Sequence, residues 1–367
     1  MNFNNFDHSP ALLHLASEYE LALQRGETAF YDEETFLQLI DYYAEETTVE
    51  RALGVADEAI VCHDFSASLY LRKAALLIQL QEAEKALDVL EYATVLSPNS
   101  ANIQLLRAEA LIALEEHPEA LLILEELRTH ADTDKLSQVY VTEALLYEKL
   151  ELYDRMFYSL EAALSENPSN QQALEKLWLC VELSKKYKES IRLHERILDD
   201  NPYAHIAWYN LAHSYSYFGR YTEAIEAYEY AYLIDERFEF AYRDCAELCF
   251  ETKAYQQALD CYEDLLEHFP PDGDIYLRMG QCQQHFGNLQ KARNYYVQAI
   301  LLDPLNDEVF FHIGQCYAAT QQWKKAIRFY EKATTIEDGR EEYFAGLAEA
   351  YQQVGQHEQA AHYHRQA

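Results

Sequence analysis

Apolar residues in this chain recur every three or four positions, as in Trp208, Leu211, Ala212 and Tyr215, with polar residues between them. That is the spacing of one face of an α-helix. A second, longer period lies over the first. Segments starting at His205, Glu239, Gly273, Asp307 and Glu341 align without a gap, each start falling 34 residues after the last. Counting each start as position 1, position 4 holds Trp208, Tyr242, Tyr276, Phe310 and Phe344. Position 8 is always small: Ala212, Ala246, Gly280, Gly314 and Ala348. Position 20 is Ala224, Ala258, Ala292, Ala326 and Ala360, and position 24 reads Tyr228, Tyr262, Tyr296, Tyr330 and His364. Each unit therefore predicts two helices packed as a hairpin, with small residues where the backbones approach.

The register continues backwards through weaker copies starting near residues 33, 67, 101, 137 and 171. These keep Ala74, Ala108 and Ala144 at position 8 and Ala52, Ala86 and Ala120 at position 20, whereas Trp178, Met156, Ser190 and Glu143 depart from their columns. Two residues are inserted around Ala131 to Asp134, which predicts one longer inter-repeat turn. Pro98, Pro168, Pro202, Pro270 and Pro304 close units at position 32, and the residue before a proline is pushed out of the helical region. Gly219, Gly287 and Gly355 share position 15, the turn inside the hairpin, where a positive φ is expected. Ahead of the array, residues 1–32 predict a capping helix from Pro10 through Gln24; residues 33–367 predict a continuous array of about ten units. A lone hairpin cannot bury its apolar face, so such an array is stabilised by stacking on its neighbours.

The columns resemble the tetratricopeptide repeat. Its pattern of an aromatic, Leu, a small residue and Tyr, then Ala and an aromatic, is matched by Trp208, Leu211, Ala212, Tyr215, Ala224 and Tyr228. The resemblance implies an all-α, right-handed superhelical solenoid whose first helices line a concave groove with positions 2, 5, 9 and 12. It also implies a protein-binding scaffold rather than an enzyme. Two specialised relatives are tested by their columns. The Lys and Asn pair of chaperone-tail receptors is absent, and position 6, which carries an Asn ladder in sugar transferases, reads Lys176, Asn210, Asp244, Arg278, His312 and Gly346.

Composition narrows the partners. With 63 acidic and 29 basic side chains the net charge is −34, and a surface so negative repels nucleic acid and anionic membranes. A basic protein or peptide is the partner this charge suits. No window is long and apolar enough to span a bilayer, and residues Met1 to Asp7 do not read as a signal peptide, so a cytoplasmic location is expected. Seven cysteines are then free thiols. Cys180, Cys282 and Cys316 fall at position 10, and Cys245 and Cys249 lie four apart on one helical face. Without CxxC pairs or matching histidines they are read as core residues, so no metal or cofactor is expected. No phosphate loop, nucleophile elbow or zinc-protease motif occurs either.

The groove columns name the candidate site: Tyr209, His213, Phe240, Arg243, Glu247, Leu277, Gln281, Phe311 and Gln315. Aromatics interleaved with Arg, His and amides have the composition of a protein interface. In the first half the same columns are aliphatic and acidic, among them Leu37, Asp41, Leu71, Leu105, Glu109, Val141 and Leu145, which suits an apolar ligand or a closed groove. The alternative is a self-assembling structural protein forming a homo-oligomer, since 30 tyrosines leave some for an exposed interface.

Overall fold

The computed structural model describes residues 10–25, 30–45, 48–130 and 133–367, apart from the side chains of residues 130, 133 and 134. Met1 to Asp7, part of the expected capping segment, and inserted residues 131 and 132 lie outside the described residues. Among those described the protein is all-α, with 21 helices and no strand. None is long and apolar enough to cross a membrane.

The helices follow the period. After α1 (Pro10–Gln24) come the pairs α2 (Glu33–Glu45) and α3 (Val49–Cys62), α4 (Ala67–Gln79) and α5 (Ala83–Leu96), and α6 (Ala101–Ala113) and α7 (His117–His130). Next are α8 (Thr133–Lys149) and α9 (Tyr153–Glu166), α10 (Gln171–Ser184) and α11 (Tyr187–Asp200), and α12 (His205–Tyr217) and α13 (Tyr221–Ile234). The series ends with α14 (Glu239–Glu251) and α15 (Tyr255–His268), α16 (Gly273–His285) and α17 (Leu289–Leu302), α18 (Asp307–Ala319) and α19 (Trp323–Ile336), and α20 (Glu341–Gln353) and α21 (His357–Tyr363). Thr133 and Asp134, from the inserted stretch, already belong to α8, which at 17 residues is longer than any other described helix.

Two compact units form, Met1–Ser214 and Tyr215–Ala367. In the first, α1 is held by Tyr19, whose ring is buried and whose hydroxyl donates to Glu58 at 2.8 Å, and by Glu20, which accepts from Tyr43 (2.8 Å) and Arg51 (2.9 Å). The position-8 and position-20 alanines Ala52, Ala74, Ala86, Ala108, Ala120 and Ala144 are fully buried. Departures from the columns are accommodated by pairing. Glu143, 4% exposed, accepts from Ser159 at 3.0 Å and lies 3.2 Å from Arg128. His194 replaces the usual large residue at position 24; burial pushes its imidazole pKa down to about 4, so the ring is neutral.

In the second unit Ala224, Ala246, Ala258, Ala292, Ala326 and Ala348 are likewise fully buried. At Gly280 and Gly314 the contact is closer still: a Cβ there would overlap the rings of Tyr296 and Tyr330, the position-24 tyrosines of the same repeats. First helices are capped where position 34 of the preceding repeat is suitable. Asp272 accepts from the amide of Ile275 at 2.9 Å and Asn306 from that of Val309 at 3.2 Å.

Position 15 is left-handed in all nine repeats where that residue is described, although only three carry glycine there. Gln81, Glu115, Glu151, Lys185, Lys253 and Gln321 have φ between 56° and 64°, alongside Gly219, Gly287 and Gly355 at 70° to 79°. The tight turn between paired helices dictates this conformation whatever residue occupies it, and each non-glycine residue pays for it in local strain. Nothing lies within 4 Å of a Cβ added at Gly287, so the backbone effect is isolated there. We predict that Gly287→Ala destabilises the fold by about 1 kcal/mol, and that Gln321→Gly stabilises it by about 0.5–1 kcal/mol. Urea midpoints measure both; a loss of stability in Gln321→Gly would contradict the reading.

Candidate functional site

The first helix of each pair presents the polar columns, and they form a series of bonds between consecutive first helices. In four repeats position 6 reaches position 9 of the repeat before it, whereas Asn210 at position 6 donates to the carbonyl of Leu174 at 2.8 Å. In the first unit Arg72 lies 3.2 Å from Asp41, and the Thr142 hydroxyl donates to Glu109 at 3.4 Å. In the second unit Arg278 donates to Glu247 at 2.6 Å, and His312 meets Gln281 at 2.9 Å. Lys176 follows a variant of the rule, pairing with Glu148 of position 12 at 2.9 Å.

In the first unit these bonds border apolar hollows. One, of about 560 Å³, is lined by Leu37, Leu71 and Leu105 together with Arg72, Glu109 and Thr142. A second, of about 490 Å³, lies against Val141, Leu145, Lys176 and Trp178 and also touches Glu109. Burial raises the Glu109 pKa, opposed by the hydrogen bond from Thr142. Of the residues predicted by the groove columns, Tyr209 and His213 belong to this unit. Tyr209 is 1% exposed and packs edge-on to His213 at 4.6 Å, with Trp178 also edge-on to His213 at 5.7 Å. Tyr209 thus serves packing, while His213 stays half-buried.

In the second unit a continuous ladder crosses α14, α16 and α18. Glu247 accepts from Arg278 and, at 2.9 Å, from the Tyr262 hydroxyl. Arg278 also donates to Gln281 Oε1 at 3.2 Å, and Gln281 Nε2 donates to Glu308 at 2.9 Å as well as facing His312 Nε2. His312 Nδ1 lies 3.1 Å from Gln315 Oε1, which accepts from Gln284 Nε2 at 2.9 Å. The Tyr296 hydroxyl closes the series by donating to Gln284 Oε1 at 2.8 Å. One set of proton positions satisfies the whole series: His312 carries its proton on Nδ1 and accepts at Nε2. Burial, and next the Glu247 charge, push Tyr262 up, so it remains a donor.

This ladder floors an open hollow of about 440 Å³ bounded by Phe250, Arg278, Gln284 and His285. The Arg278 guanidinium lies over the Phe250 ring, 4.7 Å from its centroid. Predicted residues Glu247, Gln281 and Gln315 are joined here. Arg243 sits to one side, paired with Glu239 at 2.7 Å and Asp272 at 2.8 Å. Burial would lower its pKa, but those carboxylates raise it. Phe240 is half-buried, 6.3 Å from Phe238. Leu277 and Phe311 are buried; Phe311 packs on Tyr343 at 4.7 Å and Tyr330 at 5.5 Å. Arg278 and His312 were not among the residues chosen from columns 2, 5, 9 and 12. Their signal was the unbroken run of polar residues at position 6 from Lys176 to His312.

Tetratricopeptide repeat models match residues 205–238, 250–309 and 285–348. Among solved structures, YrrB, described as a TPR protein with an unusual peptide-binding site, is 20% identical, covers 47% of this chain and 89% of its own, and superposes with a TM-score of 0.40. MamA is 18% identical over 44% of this chain and 88% of its own, with a TM-score of 0.42. The Cut9–Hcn1 hetero-tetramer of the APC/C is 14% identical over 96% of this chain and 88% of the other, with a TM-score of 0.38. No curated protein sequence matches the chain.

Burial separates the two aromatics beside the ladder. Phe311→Ala empties a packed site and is expected to cost about 3–5 kcal/mol, whereas half-buried Phe250→Ala should cost about 1 kcal/mol. Denaturant unfolding of the two variants checks the assignment; equal losses would contradict it.

Proposed function

Because residues 205–238 and 250–348 are tetratricopeptide repeats, we propose that this protein is a non-catalytic interaction scaffold that holds a segment of another protein against the first-helix face of its second unit. The observation that carries the reading is the ladder from Glu247 to Gln315 beneath an open hollow, with Phe250 at its edge. Internal bonding fixes the amide and imidazole groups before a partner arrives, which lowers the ordering cost of association. Amides have spare donors and acceptors for the backbone of an extended segment, and Phe250 offers a ring for an apolar side chain. Asp272, Asp274, Asp307 and Glu308 make this side predominantly acidic, which with the net charge of −34 favours a basic segment. Arg243, Phe240 and Glu247 border the same face, while Leu277 and Phe311 support it from the core. A cytoplasmic setting suits such a protein.

The exposed Tyr221, Tyr230 and Leu233 of α13 favour a second reading, self-association into a homo-oligomer. Sedimentation over a range of concentrations separates the two; the scaffold reading predicts a monomer throughout. For a partner recovered by affinity capture from the native cell, Phe250→Ala with Gln284→Ala should weaken binding about 30-fold, the size of one interface hot spot, with circular dichroism showing the variant folded at the temperature of the binding measurement. Binding should also weaken with added salt. Unchanged affinity in the double variant would overturn the assignment of this face.

A further inference from the structure

Three thiols converge in the seventh repeat. Cys245 and Cys249 project from α14 at positions 7 and 11, and Cys261 from α15 at position 23. All three are buried, and their sulfur atoms lie within 4.8 Å of one another, with Cys245 and Cys261 at 3.6 Å. The same columns elsewhere are filled mainly by larger side chains: Leu177, Leu211 and Ile313 at position 7, Tyr215 and Tyr317 at position 11, Leu193 and Phe329 at position 23. Only this repeat replaces all three at once. Packing alone explains a single cysteine such as Cys282 or Cys316, each of which stands singly at position 10; it does not explain three interlocking replacements that bring sulfur to one point.

We propose that Cys245, Cys249 and Cys261 form a three-coordinate site for a soft, thiophilic metal ion, with the cuprous ion as the one whose preferences they match. Sulfur ligands about 2.3 Å from an ion in a trigonal plane stand about 4.0 Å apart, close to the separations already present. Thiolates select soft ions, and structural zinc closes its shell with a fourth ligand. Among the described residues no His, Asp or Glu joins the group. The Cys245 thiol points toward the carbonyl of Ile225 at 4.0 Å, which gives that sulfur an outer-shell partner. Each thiol that becomes a ligand releases its proton to solvent, with no change of oxidation state.

The test uses the full, reduced chain under anaerobic conditions, titrated with cuprous ion against a chromophoric cuprous chelator and, separately, with zinc. The site predicts one tightly held cuprous ion per chain, three sulfur neighbours by X-ray absorption, and weaker retention of zinc. Cys249→Ser and Cys261→Ser should each lower cuprous affinity by at least about 100-fold, since loss of a ligand costs no less than loss of an outer-shell partner. Cys282→Ser should leave it unchanged, and circular dichroism checks that each variant is folded. No tight binding by the parent chain, equal affinity in Cys249→Ser or Cys261→Ser, or zinc held as tightly as copper would overturn the proposal.

Discussion

Two helix backbones can share a core only where little side chain stands between them, and in this protein that condition is met by the small residues of positions 8 and 20. Ala52, Ala74, Ala86 and their counterparts through Ala348 are wholly buried because each is the point at which one helix leans on the next. Where position 8 is glycine, at Gly280 and Gly314, the ring of Tyr296 or Tyr330 moves into the space a methyl would take. The rest follows from this closeness. Paired helices packed so tightly require a short turn, the turn requires a left-handed residue at position 15, and each hairpin, apolar on its open side, must be covered by another.

The same stacking brings consecutive first helices into register, so that position 6 meets position 9 of the preceding repeat. Arg72 with Asp41 and Arg278 with Glu247 are bonds of this kind. They are partly exposed and individually contribute little to stability. Their consequence is positional: side chains that would otherwise wander are held in one arrangement along the face where a partner would lie. In the second unit Gln281, His312, Gln284 and Gln315 extend that arrangement into a continuous network. A binding face of this type is a product of the repeat geometry, with identity supplied by the residues at a few columns.

Much of this was legible from the sequence. Periodicity located the helices, and the small columns located their contacts, because both are set by bulk and spacing that a sequence displays directly. Position 15 was only partly legible. Glycine at 219, 287 and 355 announced it, whereas Lys253 and Gln321 adopt the same φ because the flanking helices impose it. The groove was read more coarsely still. Tyr209 and Phe311 sit in columns nominally facing a partner, yet rings of that size fold back onto the adjacent helix. Arg278 and His312 emerged only in three dimensions, since their partners lie one repeat away. Cys261 likewise joins Cys245 and Cys249 across a hairpin, a proximity that four-residue spacing on one helix cannot show.

The central claim is that partners meet the first-helix face of the second unit. Photo-crosslinking from a single reactive residue tests it most directly, placed at His285 at the rim of the hollow on that face or at Gln298 on the exposed side of α17, in the native cell. The account predicts a discrete crosslinked protein from position 285 and none from position 298. Crosslinks from 298 alone, or equally from both, would contradict it.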